Sequence, residues 1–265
     1  MRLGGIAVYS FLDWPPPVVA LACTVAALVP PLLMTLFCAA VARRPGVMAF
    51  AGAEPAIIGT VSLLFGLFAA FLANDIWTRN QTAREAVVAE GDAIRNLARL
   101  SEGNDQATDA MRAALADYVK TVVEKDWPLM LIGKRSLEVL PKVKAISALI
   151  ITGSVGKVVG PVVQGKMLDA FTQLREKRQV RTILAESRTF TIKWHALILF
   201  GFLTQLAITI THLVKPKPML LSHLVFGSAL ATCLSILVLN EFPFSALNPI
   251  SPDPLTLAAA SLSRL

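Results

Sequence analysis

Four long apolar stretches dominate the pattern of hydrophobic and polar positions along the chain. They cover about residues 18–42, 55–76, 194–213 and 219–240, and apart from three histidines the one ionisable acidic or basic side chain within them is Asp75. A bilayer core about 30 Å thick is crossed by about 20 apolar residues in a helix. The pattern therefore predicts an all-α integral membrane protein, a helical bundle with four spans.

The first stretch also resembles a cleaved signal peptide, since Arg2 could serve as its basic region and Ala39–Ala42 as its cleavage site. A signal's apolar region is about 7–15 residues long, and this stretch is much longer, which favours a span. Pro30 and Pro31 lie in its middle. We expect them to kink the helix and to free carbonyls that neighbouring helices must cover.

The third and fourth stretches are separated by the short polar segment Lys215-Pro216-Lys217-Pro218, which predicts an antiparallel hairpin. Four spans place both termini and the middle segment, residues 77–193, on one side. The middle segment carries more basic residues near the span ends than the loops that hold Arg43, Arg44, Lys215 and Lys217. The positive-inside rule then predicts a multi-pass membrane protein with the middle segment and both termini in the cytoplasm.

The middle segment has helical periodicity. Apolar positions spaced by four and three predict that the second span continues as one long helix with a heptad-like seam, formed by Ile76, Asn80, Ala83, Val87, Glu90, Ile94 and Leu97. Asn80 and Glu90 interrupt this seam, and they are either solvated or set its register.

Further helices follow the seam. A second amphipathic helix should end at Trp127-Pro128, a shorter one should cover Leu129–Leu149, and a long one should follow the glycines before Pro161 and lead to the third span. Asp75 is expected to be solvated at the membrane edge. We interpret residues 1–265 as a single domain in which long helices continue from the membrane into a cytoplasmic helical region, with a C-terminal tail at 241–265.

Composition supports a membrane protein and limits the kinds of partner that it is expected to bind. The chain is 55% hydrophobic and 16% charged, with a net charge of +7. A basic excess suits loops that face anionic lipid, and the basic residues lack the interleaved aromatics typical of nucleic-acid binding. The three cysteines fall inside apolar stretches and imply no disulfide framework.

No enzyme motif is evident. The run Gly153–Val158 resembles a phosphate-binding loop, but that motif needs glycine where Ile151 stands and serine or threonine where Val158 stands. The histidines are too scattered for a metal cluster. We therefore expect no catalytic residue, no metal and no cofactor.

One segment carries a strong resemblance to a known family. The run Phe71-Leu72-Ala73-Asn74-Asp75-Ile76-Trp77-Thr78-Arg79, followed by Ala83-Arg84, resembles the signature of bestrophin channels, and Phe242-Pro243-Phe244 after the last span resembles a second hallmark. Over about residues 15–257 the chain is similar to the prokaryotic bestrophin-like domain family.

The resemblance implies a homopentamer around a central pore in the membrane lipid, passing inorganic ions. Carried over through Phe71, the apolar neck falls on Leu63, Leu67 and Phe71, with Asn74 near its cytoplasmic exit. The expected function is an ion channel for small monovalent anions such as chloride. Residues of these types at helical spacing also suit simple packing or lipid contact. Gly59 and Gly66 beside them could let neighbouring helices approach.

The chain departs from bestrophins at several positions. Leu72 and Ala73 replace a basic residue and an asparagine, and no acidic cluster suggests calcium gating. A non-conducting membrane scaffold or sensor that binds a partner through the cytoplasmic helices is therefore the alternative function. The tail from Phe242 to Pro254 is expected to wrap a neighbouring subunit or else merely to end the fourth span.

Overall fold

The computed structural model describes residues 14–41, 56–102, 105–151, 155, 158–187, 191–245, 247 and 249–262. Within these ranges every regular element is helical, which confirms the all-α prediction. The predicted loop at residues 43–54, the ends of the predicted spans at Ala42 and Pro55, and the predicted glycine break at Gly153 and Gly156 lie outside the described residues.

The helices follow one another in chain order, and four of them are long and apolar enough to cross a membrane. These four are α1, α2, α7 and α8, which confirms the predicted spans. A π-helical turn at Val122–Asp126 joins α3 to α4. The helices are α1 (Pro16–Val41), α2 (Ala56–Leu100), α3 (Asp105–Thr121), α4 (Trp127–Met130), α5 (Val139–Ile151), α6 (Pro161–Glu186), α7 (Thr191–Thr211), α8 (Pro216–Asn240) and α9 (Asp253–Leu262).

The chain divides into two compact units. Unit 1 comprises Met1–Trp77 and Arg188–Glu241, and unit 2 comprises Thr78–Ser187 and Phe242–Leu265. The helices α1, α7, α8 and the first part of α2 belong to unit 1. The remainder of α2, the helices α3 to α6 and the tail helix α9 belong to unit 2.

In unit 1, α1 and α8 make the most extensive contact between helices. They approach closely at Gly227, where a methyl group would lie 2.5 Å from Leu28 Cδ2 and 3.3 Å from Ala27 O. Small residues at such crossings allow helix backbones to approach in a membrane, where the hydrophobic effect does not drive helix association. Gly227 is therefore required by packing.

The proline pair has the predicted consequence at one carbonyl. Helix α1 continues through Pro30 and Pro31, and Pro31 has no N–H to donate to Ala27 O. The side-chain amide of Gln205 on α7 takes its place, since Nε2 donates to Ala27 O at 2.9 Å. A neighbouring helix thus covers a carbonyl that proline frees.

The predicted antiparallel hairpin of α7 and α8 is confirmed by their register. A methyl group at Gly201 would lie 3.3 Å from Leu230, and Thr209 lies 3.1 Å from His223. Moving forward along α7 therefore means moving backward along α8. The turn is short because Pro216, whose missing N–H costs nothing in a first turn, already begins α8.

In unit 2 the predicted seam of α2 faces the core. Ala83, Val87, Ile94 and Leu97 are fully buried. They pack with apolar side chains of α3, α5 and α6, namely Met111, Leu115, Ile146, Ile150 and Leu174. The heptad-like spacing therefore identified the buried face of this helix correctly.

Two predicted helix boundaries in unit 2 are wrong. Helical structure does not end at Trp127-Pro128, because Pro128 lies in the first turn of α4, where its missing N–H is tolerated. The helix predicted to cover Leu129–Leu149 begins at Val139. Gly133 adopts a positive φ of 70° in the connection between α4 and α5 and turns the chain there.

The tail packs on its own chain. Phe244 is buried, and its ring meets the Trp127 ring edge-on, with centroids 5.5 Å apart. Helix α9, which the sequence analysis did not anticipate, buries Leu255, Ala258 and Leu262 in the core of unit 2. Contact of the remaining tail side chains with a neighbouring subunit stays a prediction.

Candidate functional site

The two faces of α2 in unit 1 differ in what they contact. Phe65, Leu72 and Ile76 are buried in the core of the unit. Leu63, Leu67 and Phe71 are instead 73%, 46% and 55% exposed. The three residues predicted to form the neck therefore lie on the face of α2 that the described part of the chain leaves uncovered.

The exposed side chains form one row. Residues four apart lie on the same side of an α-helix, separated by about 6 Å along its axis. Asn74, three residues beyond Phe71, continues this row and is also exposed. The structure thus brings together the neck residues and the asparagine predicted at its exit, and we call this row the neck face.

Aromatic contacts fix the rotation of α2. The ring of Phe65 meets Phe226 of α8 edge-on at 5.3 Å, and the ring of Phe68 stacks on Phe200 of α7 at 4.9 Å. Such pairs contribute about 0.5–1.5 kcal/mol each beyond the area they bury. With both rings held on the inner side, the neck face is directed away from α7 and α8.

The glycines beside the neck face have open surroundings. A methyl group at Gly59 or at Gly66 would meet no described atom within 4 Å. The packing of this chain therefore does not explain these glycines. Their use in the approach of another subunit's helix stays a prediction.

One expected solvated group is paired. Asp75 forms an ion pair with Lys193 that links α2 to the start of α7, and both side chains are about one-third exposed. The expectation that Asp75 is merely solvated is wrong.

Three tryptophans lie near the limits of the predicted spans. Trp14 lies two residues before α1, Trp194 lies in the first turn of α7, and Trp77 lies within α2 where the predicted second span ends. Tryptophan is enriched at membrane–water interfaces, so these positions fit the predicted span limits.

The other signature residues lie in unit 2, where they build the fold. Arg79 Nη2 donates to Ser187 O at 2.6 Å and ties α2 to the end of α6. Arg84 is exposed. Pro243 and Phe244 are buried and Phe242 is half-buried. None of these residues belongs to the neck face.

Sequence reasoning missed a buried ionic cluster in unit 2, formed by Arg181, Glu90, Asp126 and Tyr118. Arg181 Nε donates to Glu90 Oε2 at 2.8 Å, and Nη1 donates to Asp126 Oδ2 at 3.2 Å. The Tyr118 hydroxyl donates to Glu90 Oε1 at 2.5 Å. All four side chains are fully buried, so the solvated alternative for Glu90 is wrong.

The electrostatics of this cluster suit a structural role, in which the buried charges are paired with one another. Burial opposes the charge on Arg181, but the pKa of its guanidinium is raised because the neighbouring Glu90 and Asp126 outweigh that penalty. Burial and the adjacent Glu90 carboxylate raise the pKa of Tyr118 well above its ordinary value. The phenol therefore stays a donor. A charged residue at the seam position 90 was the sequence signal for this cluster.

A groove of about 380 Å³ lies between α1 and α8. Hydroxyl side chains line part of it, but each donates to a carbonyl four residues earlier in its own helix: Thr24, Ser228, Thr232 and Ser235. The groove therefore presents a largely apolar surface. Among the described residues no group of three or more histidine, cysteine or acidic side chains is arranged to hold a metal.

Comparison with known proteins decides the family. The sequence pattern of the Bestrophin-like domain matches residues 25–255. The chain belongs to the bestrophin-like family. No curated protein matches this bestrophin-like chain at a significant level.

Solved structures share the fold of this bestrophin-like chain. A bacterial bestrophin homologue from Klebsiella pneumoniae, carrying a single substitution, matches with a TM-score of 0.64 and 13% identity, covering 91% of this chain and 96% of that one. A crystal structure described as a membrane protein matches with a TM-score of 0.60 and 15% identity at the same coverage. Identities this low establish the fold, and activity must be argued from the neck face.

Proposed function

We propose that this chain is the subunit of an oligomeric ion channel that passes small monovalent anions such as chloride. Leu63, Leu67 and Phe71 form its apolar neck, and Asn74 lies at the cytoplasmic exit. The assembly is a homopentamer in the bacterial inner membrane, with both termini and the middle segment in the cytoplasm.

The observation that carries this proposal is the composition and exposure of the neck face. Three large apolar side chains and one amide share a row that the chain leaves open. Lipid contact would account for the apolar members, but an amide in the same row is better placed against water. A row that passes from apolar to polar suits the wall of a pore near its exit.

The neck would control permeation by dewetting. Side chains repeated around a symmetry axis would form three apolar rings, about 6 Å apart along the helix. A narrow apolar constriction excludes water and ions until it widens, and it adds no fixed charge. Trimming the rings should therefore ease conduction rather than abolish it.

The sign of the permeant ion depends on charge outside the neck. The chain carries 25 basic and 18 acidic residues, a net charge of +7. A basic surround raises the local concentration of anions. This excess supports anion permeation.

Planar-bilayer recording under a salt gradient tests the proposal. The Leu63→Ala, Leu67→Ala, Phe71→Ala triple variant should carry a larger current than the wild type, with a reversal potential on the anion side. The matched control is Leu33→Ala, Leu36→Ala, Phe37→Ala, which trims three side chains of α1 that are 59%, 68% and 67% exposed. It should leave the current unchanged.

Two results would overturn the proposal. If all three proteins are silent in bilayers that conduct with a bestrophin control, the scaffold or sensor function becomes the better explanation. If both triple variants raise the current equally, the neck does not lie on α2. A cation-side reversal potential would overturn the choice of ion alone.

A further inference from the structure

His223 is a buried ionisable side chain inside a predicted span. It lies two turns into α8 and is fully buried. Its Nε2 lies 3.1 Å from Thr209 Oγ1 on α7. Ionisable side chains within membrane spans are rare and usually functional, so this one needs an explanation.

The hydrogen bonds around His223 fix its tautomer. The Thr209 hydroxyl lies 2.9 Å from Gln205 O and donates its single proton there. Thr209 Oγ1 can then only accept from His223, so the neutral imidazole carries its proton on Nε2. The other ring nitrogen, Nδ1, is left with a lone pair, and no described residue donates to it.

These bonds belong to a polar seam that joins three helices. His223 of α8 donates to Thr209 of α7, Thr209 donates to Gln205 O, and Gln205 Nε2 donates to Ala27 O of α1. Gly227, one turn beyond His223, is a point of close approach between α8 and α1. A change at His223 therefore acts where α1, α7 and α8 pack together.

We propose that His223 is a proton-binding site of unit 1, and that proton uptake loosens the polar seam. The proton comes from water and binds the Nδ1 lone pair, which converts the imidazole to an imidazolium while the bond to Thr209 is kept. The new N–H has no described acceptor, and burial penalises the charge. Acidification thus weakens the packing of α8 on α7 and α1.

The charged groups near His223 do not offset this penalty. His212 directly follows α7, three residues beyond Thr209, and when protonated it would carry the same positive sign as a protonated His223. On α1 the buried Cys38 brings no positive or negative charge as a thiol. Of the acidic side chains described in unit 1, Asp75 on α2 is paired with Lys193, and Glu241 follows the last residue of α8, at the opposite end of that helix from His223. Lys215 and Lys217, in the turn and the first turn of α8, are exposed.

The chain has three histidines, so the test can assign the effect completely. Thermal unfolding of the detergent-purified protein is followed from about pH 8 to about pH 5.5, the range in which histidine gains its charge. Free histidine titrates near pH 6.5, so the wild-type melting temperature should be level above about pH 7 and fall by several degrees below it. The assay needs no ion current and is independent of the channel proposal.

Single variants separate the three histidines. His223→Gln keeps an N–H for Thr209 but cannot be protonated, so its melting temperature should lose the acid-side fall. His195→Gln removes an exposed histidine and should retain the full fall. His212→Gln should retain or slightly reduce it. If His223→Gln keeps the wild-type dependence, the proposal is overturned.

A second measurement covers the case in which His223→Gln does not fold. The double variant His195→Gln, His212→Gln leaves His223 as the one histidine, and ¹⁵N imidazole spectra then report its protonation directly. The expected result is the Nε2–H tautomer at high pH and a fall in melting temperature as the imidazolium appears. An Nδ1–H tautomer, or titration with no change in melting temperature, would refute the proposal.

Discussion

The polar groups buried inside the spans of unit 1 are neutral side chains linked in a short series, whereas those at the centre of unit 2 form a closed set of charges. Gln205, Thr209 and His223 carry the first arrangement, and Arg181 with Glu90 carries the second. The two units also differ in how they bury apolar side chains. Large apolar side chains such as Leu21 and Leu63 are exposed along the membrane-length helices of unit 1. Unit 2 exposes some as well, such as Leu137, but its buried apolar core is more extensive.

The difference is the one expected if unit 1 lies in lipid and unit 2 in water, as proposed. In water, burial of apolar surface supplies most of the driving force, and unit 2 can enclose a costly ionic cluster provided that every charge is paired. In lipid, exposed apolar side chains lose nothing. Close approach at small residues and a few hydrogen bonds must then hold the helices of unit 1. Three substitutions test this contrast, from the largest expected effect to the smallest.

Removing the cation of the buried cluster should have the largest effect. Arg181→Met leaves Glu90 and Asp126 buried without their counter-charge, and breaking a buried pair in this way costs about 3–5 kcal/mol. Arg135→Met is the matched control, because Arg135 pairs with Glu186 at 3.3 Å on the surface. Its loss should cost less than about 1 kcal/mol.

Hydrogen exchange of α3 and α5, together with denaturant unfolding, measures both arginine variants. Faster exchange throughout unit 2 is expected for Arg181→Met alone. Equal stabilities of the two variants would show that the buried cluster contributes no more than a surface pair.

Adding one methyl group should have different effects at two glycines of α2, Gly91 in unit 2 and Gly66 in unit 1. At Gly91 the methyl would lie 2.7 Å from Pro254 O, a backbone atom that moves only if α9 shifts. Overpacking of this kind costs about 1–3 kcal/mol, so Gly91→Ala should expose the tail to protease. Gly66→Ala meets no described atom and should leave the monomer as stable as before, or slightly more stable, because alanine favours helix.

Limited proteolysis followed by mass spectrometry measures how readily the tail is cleaved in the two glycine variants. Tail cleavage in Gly66→Ala, or a protected tail in Gly91→Ala, would contradict the assigned contact. A smaller oligomer formed by Gly66→Ala with an intact monomer would indicate that this glycine faces another subunit.

The smallest effect is expected at the polar seam of unit 1, which joins α8, α7 and α1. Gln205→Leu leaves Ala27 O without a donor, and hydrogen bonds between membrane helices contribute about 0.6–1.7 kcal/mol. Pro31→Ala restores an N–H at position 31 that can reach the same carbonyl. A double-mutant cycle of detergent unfolding should therefore show Gln205→Leu to be nearly neutral in the Pro31→Ala background. Fully additive losses would show that the amide does not substitute for the missing N–H.

Much of the fold follows from periodicity and length. Uninterrupted apolar runs predicted the four spans, because the hydrocarbon core sets a length that few soluble helices reach. The spacing of Ala83, Val87, Ile94 and Leu97 predicted the buried face of α2, since a 3.6-residue repeat fixes which side chains share a side. The boundaries near Trp127-Pro128 and the helix α9 could not be predicted, because proline suits both the end and the first turn of a helix.

For the candidate site, the sequence alone determined that Leu63, Leu67, Phe71 and Asn74 share one side of a helix. It did not determine whether that side is buried, because leucine and phenylalanine pack equally well on protein or lipid. Rotation of α2 about its axis decided this, and rings on α7 and α8 set that rotation. The pairing of Glu90 with Arg181 and the bare Nδ1 of His223 likewise depend on contacts between distant segments. Local sequence fixes which groups a helix presents, and only tertiary packing decides which partner, solvent or void each group meets.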